Sequence, residues 1–229
     1  MLASLLPTVA KVAETFADDP GERVFPGEAD LIERAVPARR REFITARRCA
    51  RKALGRLGWP DDVAIRSGPR REPLWPAGVV GAITHCAGYR AAAVARATDL
   101  AALGVDAEPH LPLPGGVLES TTVPPEVAML DDLARDHPGT HWDRLLFSAK
   151  ESVYKAWFPL TGRWLGYPDA DLVIDPAGSF TARLLIDGAR TDGGPPLRSI
   201  SGRYLVADGL ILTSATVPPS RLSEPQQGR

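Results

Sequence analysis

Leu145-Leu-Phe-Ser-Ala-Lys150-Glu151-Ser-Val-Tyr-Lys155-Ala-Trp-Phe158 places one carboxylate between two ammonium groups beside an apolar stripe, a pattern suited to chemistry on phosphates. At helical spacing Phe147, Tyr154 and Phe158 fall near Glu151, so the carboxylate borders a core. Glu151 and Lys155, four apart, are surface neighbours whose charges attract. The stretch also reads as an amphipathic helix with a stabilising ion pair. A second stretch, Leu100-Ala-Ala-Leu-Gly-Val-Asp106-Ala-Glu108-Pro109, reads as a short apolar strand ending in two acids and stopped by proline. Side chains at i and i+2 of a strand share a face, so Asp106 and Glu108 repel each other unless a cation or proton intervenes. Magnesium, held by one or two carboxylates plus waters and substrate phosphates, suits this pair with Glu151 better than a nitrogen- or sulfur-seeking metal would. A solvated strand end is the plainer alternative.

The elements that must carry these groups alternate helix and sheet. Met1 to Val36 reads as irregular and proline-containing. Pro37 opens a helix running to about Leu57 with Gly58 as its cap, and Phe43, Ala46, Ala50, Leu54 and Leu57 form its buried stripe. To one side of that stripe Arg47 and Arg51 each fall within about twenty degrees of Arg40. Residues 38 to 56 carry eight basic side chains against one acid, a self-repulsion that a bound phosphate would offset. Val79 to Arg96 reads as a hairpin turning at Ala87-Gly88, with Thr84 and His85 near the end of its first strand. A turn-rich stretch, 108 to 125, separates two halves, and a helix from Val127 to Asp136 precedes the long one at Leu145. Strands follow at Leu172 to Asp175, Thr181 to Ile186 and Tyr204 to Ser214, the last a hairpin on Asp208-Gly209, before a polar tail from Leu222 to Arg229.

Thr45 to Leu54 and Ser148 to Trp157 largely correspond in polar, basic and alanine positions at an offset of 103, which hints at internal duplication. Glu151 then stands where the first copy has Arg48. One half would hold phosphate, the other metal, with the site at their seam.

The pair Gly104-Val-Asp106-Ala-Glu108 and Phe147-Ser-Ala-Lys150-Glu151-Ser-Val-Tyr-Lys155-Ala resembles the signature of the 4'-phosphopantetheinyl transferases. The likeness is to the surfactin-type class, in its enterobactin synthetase component D and actinobacterial branch. It is carried also by Arg39-Arg-Arg-Glu-Phe-Ile-Thr-Ala-Arg47-Arg-Cys-Ala-Arg51, Ile83-Thr-His85-Cys-Ala-Gly-Tyr-Arg90 and His141-Trp-Asp-Arg through Trp164-Leu-Gly, and runs from about residue 25 to 217. The resemblance implies an α+β fold of pseudo-two-fold form: two similar helix-plus-antiparallel-sheet halves with the active site at their interface. Residues 1–105 would bind the phosphates of coenzyme A, and residues 106–229 the metal and the catalytic groups. It further implies transfer of the phosphopantetheine arm of coenzyme A to a serine of acyl or peptidyl carrier protein domains, with release of adenosine 3',5'-bisphosphate. These carriers serve fatty-acid, polyketide or nonribosomal-peptide synthesis, and the enzyme would act as a monomer.

On the same likeness Asp106, Glu108 and Glu151 ligate Mg2+. Glu151 takes the serine proton directly or through water, and Lys155 steadies charge on the breaking pyrophosphate. His85, Thr84, Arg39, Arg47 and Lys150 contact the coenzyme's phosphates and adenosine end. Ser67 stands where the family usually has a lysine, for which Arg66 or Arg70 could substitute. A carrier-docking surface is expected over Val117 to Leu133, with Trp157 in the core and Trp164 in the pocket wall.

Length and composition bound the reading independently. With 229 residues, 44% of them hydrophobic, the chain can bury a good core, and a net charge of −1 argues against wholesale attraction to nucleic acid or membrane. Cys49 and Cys86 cannot form a disulfide framework or a zinc cage alone, so a reducing, cytoplasmic setting is expected. No run reads as a leader or a membrane span. Two rivals predict other behaviour: a non-catalytic phosphate- or nucleic-acid-binding module built on the arginine helix, and a magnesium phosphodiesterase that would hydrolyse coenzyme A without a carrier.

Overall fold

A computed structural model describes residues 1–220, so the expected polar tail from Leu222 lies outside the described residues. The first half is one helix on a three-stranded sheet. Helix α1, Pro37–Leu57, starts with proline at a position that needs no amide donor and stops at Gly58, whose φ of 83° supplies the left-handed cap. All five expected stripe residues are buried. Ala50, Leu54 and Leu57 pack on an antiparallel sheet of order β1-β3-β2, made of β1 (Lys11–Thr15), β2 (Val79–Cys86) and β3 (Tyr89–Arg96), whereas Phe43 packs with Ile32 and Ile44. Strand β1 is a correction to the irregular reading of residues 1–36. Its five residues pair with Thr15 opposite Arg90 and Lys11 opposite Val94, partners some eighty positions distant that no local pattern announces.

The second half repeats the plan with more strands. Strand β4 (Ala102–Pro109) opens it, followed by the short α2 (Val117–Thr121) inside the stretch expected to be turns, then α3 (Pro124–Asp136) and α4 (Trp142–Thr161). Helix α3 begins before the expected Val127 because Pro124 and the reaching-back side chain of Glu126 cap it. Strands β5 (Ala170–Asp175), β6 (Ser179–Leu184), β7 (Ser199–Ala207) and β8 (Leu210–Val217) complete an antiparallel sheet of order β4-β8-β7-β6-β5. The β7–β8 turn uses Asp208 and Gly209, both at positive φ, 53° and 73°, as its twist demands. The fold is thus α+β, with two helix-on-sheet halves of unequal strand number. Strand β4 pairs with β8 along its whole length, from Ala102 opposite Val217 to Pro109 opposite Leu210.

Helix α4 lies directly across β4. A Cβ on Gly104 would stand 1.9 Å from the carbonyl oxygen of Ser152, so only glycine permits the approach that brings α4 side chains to Asp106. Lys150, expected at the coenzyme, instead points inward from α4. Its ammonium donates to Glu126 at 2.8 Å and to the carbonyls of Tyr167 and Ala170, tying together α3, α4 and the start of β5. Burial holds its pKa below the ordinary lysine value while Glu126 pulls it back. Lys150→Ala would strand the fully buried Glu126 carboxylate and is expected to cost about 3 kcal/mol in urea unfolding. No described helix is long and apolar enough to cross a membrane.

Candidate active site

Asp106 is the most constrained of the expected metal acids. Its Oδ1 accepts from Lys155 Nζ at 2.7 Å and Thr84 Oγ1 at 3.3 Å, and its Oδ2 from Ser148 Oγ at 2.8 Å. Lys155 also donates to the Val105 carbonyl. The surface pair expected between Glu151 and Lys155 is therefore replaced: the ammonium reaches down to β4, and Glu151 accepts instead from the Tyr167 hydroxyl at 2.7 Å. Glu108 is held by Arg144 Nη1 at 2.8 Å, and burial followed by the charge of Asp106 pushes its carboxyl pKa up.

The charges of all three acids reach Tyr167. The Tyr167 phenol is raised well above its ordinary value, first by burial, then by its bond to Glu151 and by the charges of Glu151, Asp106 and Glu108. Close convergence is the part that differs from expectation. Among the described residues no group of three or more His, Cys, Asp or Glu side chains stands ready to hold a metal; Asp106 is paired with Lys155, Glu108 with Arg144, and Glu151 accepts from Tyr167. The donor chemistry still fits magnesium. Asp106 and Glu108 are neighbouring hard-oxygen ligands on one strand face, the number of carboxylates that ion commonly takes.

Beside these acids opens a cavity of about 590 Å³ whose walls come from both halves. Arg39 and Arg47 of α1, Arg70 of the loop after it and His85 of β2 meet Glu151 and Lys155 of α4 across it, with Trp75, Tyr154 and Phe158 forming an apolar wall. Arg47 stacks over Phe43 at 3.5 Å and donates to the Ile65 carbonyl and to Ser67 Oγ at 2.8 Å, so the residue in the lysine's place anchors an arginine. Burial holds the Arg47 pKa down at about 10, still cationic at neutral pH. Of the two candidate replacements Arg70 lines the cavity, whereas Arg66 is paired with Asp30.

Two expected contacts fall elsewhere. Thr84 is buried and turned onto Asp106, the alternation of β2 sending Ile83 and His85 to the cavity and Thr84 to the other face. Lys150 is the buried tie already described. The outward arginines of α1 are also less available than their number suggests: Arg51 pairs with buried Glu28 at 2.7 Å, Arg48 with Glu22 at 3.2 Å, and Arg40 donates to the Ile32 carbonyl. Trp157 is core as expected, but Trp164 is exposed and packs on Tyr154 rather than lining the cavity. Sequence reasoning missed Ser148, Tyr167 and Arg144 as partners of the acids. Only the polar position of Ser148 beside the apolar stripe gave any signal.

His85 is a neutral imidazole at neutral pH. Burial, then repulsion from Arg39, pushes its pKa from 6.5 down to about 4, and Arg39 Nη1 lies against its ring nitrogens. The unfolded chain therefore binds a proton between pH 6.5 and 4 that the folded chain refuses, and stability falls as pH drops through that window. The loss attributable to His85 is expected on the order of 1 kcal/mol, given its partial exposure. Urea unfolding of wild type and His85→Gln at pH 7 and pH 4.5 would show it as a smaller acid sensitivity in the variant. Cys86, pushed up to about 12 by burial, Glu108 and Asp106, is a neutral thiol.

The cavity is cationic on one wall, with Arg39, Arg47 and Arg70, and carries Glu151 beside Lys155 on the other, a lining that suits a phosphate-bearing ligand. Residues 27–95 match the family model described as the 4'-phosphopantetheinyl transferase N-terminal domain, and residues 102–197 that of the 4'-phosphopantetheinyl transferase superfamily. The chain is 51% identical over 234 residues to the 4'-phosphopantetheinyl transferase Svp of Streptomyces mobaraensis, covering 100% of this chain and 94% of that protein. It is 49% identical to the 4'-phosphopantetheinyl transferase PptT of Mycobacterium tuberculosis, covering 93% and 96%. Enterobactin synthase component D of Salmonella typhi is 30% identical over 143 residues, 56% of this chain and 52% of that protein. The chain belongs to the 4'-phosphopantetheinyl transferase superfamily.

Proposed function

We propose that the protein transfers the phosphopantetheine arm of coenzyme A to a serine hydroxyl of acyl or peptidyl carrier protein domains, releasing adenosine 3',5'-bisphosphate. The observation that carries this reading is the cavity at the seam, where Arg39, Arg47, Arg70 and His85 face Glu151 and Lys155 across a space sized for a large part of a nucleotide-bearing ligand. Arg39, Arg47 and Arg70 bind the coenzyme's phosphates by charge-assisted bonds, and the apolar wall of Trp75, Tyr154 and Phe158 excludes water from the arm.

Asp106, Glu108 and Glu151 are the residues that would hold Mg2+, which when bound would neutralise charge on the pyrophosphate oxygens. Lys155, poised between Asp106 and the cavity, stabilises charge on the departing bisphosphate. Glu151 accepts the serine proton, with Tyr167 holding its carboxylate in orientation. Because one chain supplies both walls, a monomer suffices. The carrier docks beside the cleft over α2 and α3, where Val127 is exposed. The thiols of Cys49 and Cys86, both free, suit a reducing cytoplasm.

Incubation with coenzyme A and Mg2+, followed chromatographically, tests the reading against hydrolysis. Adenosine 3',5'-bisphosphate should form only when an apo carrier protein is added. Equal release without a carrier would identify a phosphodiesterase.

A further inference from the structure

We infer that Thr213, Ser148 and Thr84, none of which touches the cavity, are positioning residues that fix the Asp106 carboxylate in the orientation a metal requires. This rests on the proposed role of Asp106 in holding Mg2+. Thr213 on β8 is the direct cross-strand partner of Asp106 on β4, so the two side chains lie side by side on the sheet face that α4 crosses. Ser148 of α4 lies over both. Its hydroxyl is 2.8 Å from Asp106 Oδ2 and 2.9 Å from Thr213 Oγ1, and Thr213 Oγ1 in turn donates to the Ser148 carbonyl at 2.9 Å. Thr84 approaches the other carboxylate oxygen from β2 of the first half at 3.3 Å. Thr213 and Ser148 are fully buried, and Thr84 and Asp106 nearly so.

Three hydroxyls in a dry interior are costly unless each has a partner. Here those partners are a single carboxylate and one turn of the helix above it. Oδ2 is taken by Ser148, whose position is locked by Thr213, and Oδ1 is shared between Thr84 and the ammonium of Lys155. The plane of the carboxylate is thereby set from three elements and both halves of the molecule, independently of any ligand. An aspartate so held loses little freedom on binding a cation, and partners one step behind a metal ligand typically govern affinity by ~10- to 100-fold. Thr213 has no sequence signal of its own, since a threonine in a strand is ordinary.

Thr213→Val keeps the shape and removes the hydroxyl. Calorimetric titration of the full chain with Mn2+ in the absence of coenzyme A should show binding weakened about 10-fold in this variant, with the KM for coenzyme A unchanged at saturating Mg2+ and Thr213→Ser restoring wild-type metal affinity. Ser148→Ala should weaken Mn2+ binding in the same direction, which keeps the test informative should Thr213→Val fold poorly. Unchanged Mn2+ affinity in both variants, or a raised KM for coenzyme A that saturating Mg2+ does not restore, would overturn the inference. A wild-type chain that binds no Mn2+ would instead remove the metal reading on which it stands.

Discussion

Gly104→Ala is expected to destabilise the protein by more than about 3 kcal/mol, the upper end of ordinary overpacking costs. The added methyl carbon would lie 1.9 Å from the Ser152 carbonyl oxygen and 2.8 Å from the Ala156 amide nitrogen, both backbone atoms of α4. A flexible side chain could turn aside, but a helix backbone can yield only by moving bodily off β4. That movement would loosen the core made by Leu145, Leu146, Ala149, Val153 and Ala156 and carry Ser148 and Lys155 away from Asp106. Urea unfolding checks the magnitude, and activity should fall with it. A variant of wild-type stability would show that α4 and β4 are not in this contact. The glycine of the acidic motif is therefore a steric requirement of the site, two residues before the acid it serves.

Glu151→Gln should act in the opposite manner, sparing the fold and removing the chemistry. The side chain lies on the cavity wall, and the substitution keeps its shape and an oxygen for Tyr167 to donate to. Loss of a positioned proton acceptor costs roughly 10²- to 10⁴-fold in rate, so kcat/KM is expected to fall by at least about 100-fold with the midpoint of unfolding unchanged. A decrease below about tenfold would assign the proton to another group. Because Arg39, Arg47, Arg70 and His85, proposed to meet the coenzyme, line the other wall, coenzyme binding at saturating Mg2+ should survive.

How much of this could be read in advance depends on how local the determinant is. Helix α1 was legible to the residue because proline and glycine punctuate it, and the β2–β3 and β7–β8 hairpins because their turns demand positive φ at Gly88 and Gly209. The cavity lining was half legible. Arg39, Arg47, Arg70, His85, Glu151 and Lys155 were named from residue type and resemblance, and all six line it. Thr84 could have been set aside by strand alternation, since His85 next to it must face the other way. Lys150 could not, because its partner Glu126 lies on another helix and its burial is decided by how α3 folds back.

The acids that quiet the arginine helix, Glu22 and Glu28, belong to the segment before it, where no periodicity marks them. The same holds for the cations that pair with the expected metal acids. Spacing puts Asp106 and Glu108 on one face, but only the packing of α4 brings Lys155 to the first and Arg144 to the second. Type and spacing thus announce which groups can act, and long-range packing decides which of them meet.

The central claim is that this seam moves a phosphopantetheine arm with the help of a divalent cation. Intact-mass measurement of an apo carrier protein incubated with coenzyme A and the enzyme, with Mg2+ or with EDTA, tests it most directly. The account predicts that the carrier gains the mass of one arm with Mg2+, gains nothing with EDTA, and gains nothing when its acceptor serine is alanine. A carrier left unmodified with Mg2+ present, or modified equally in EDTA, would contradict it.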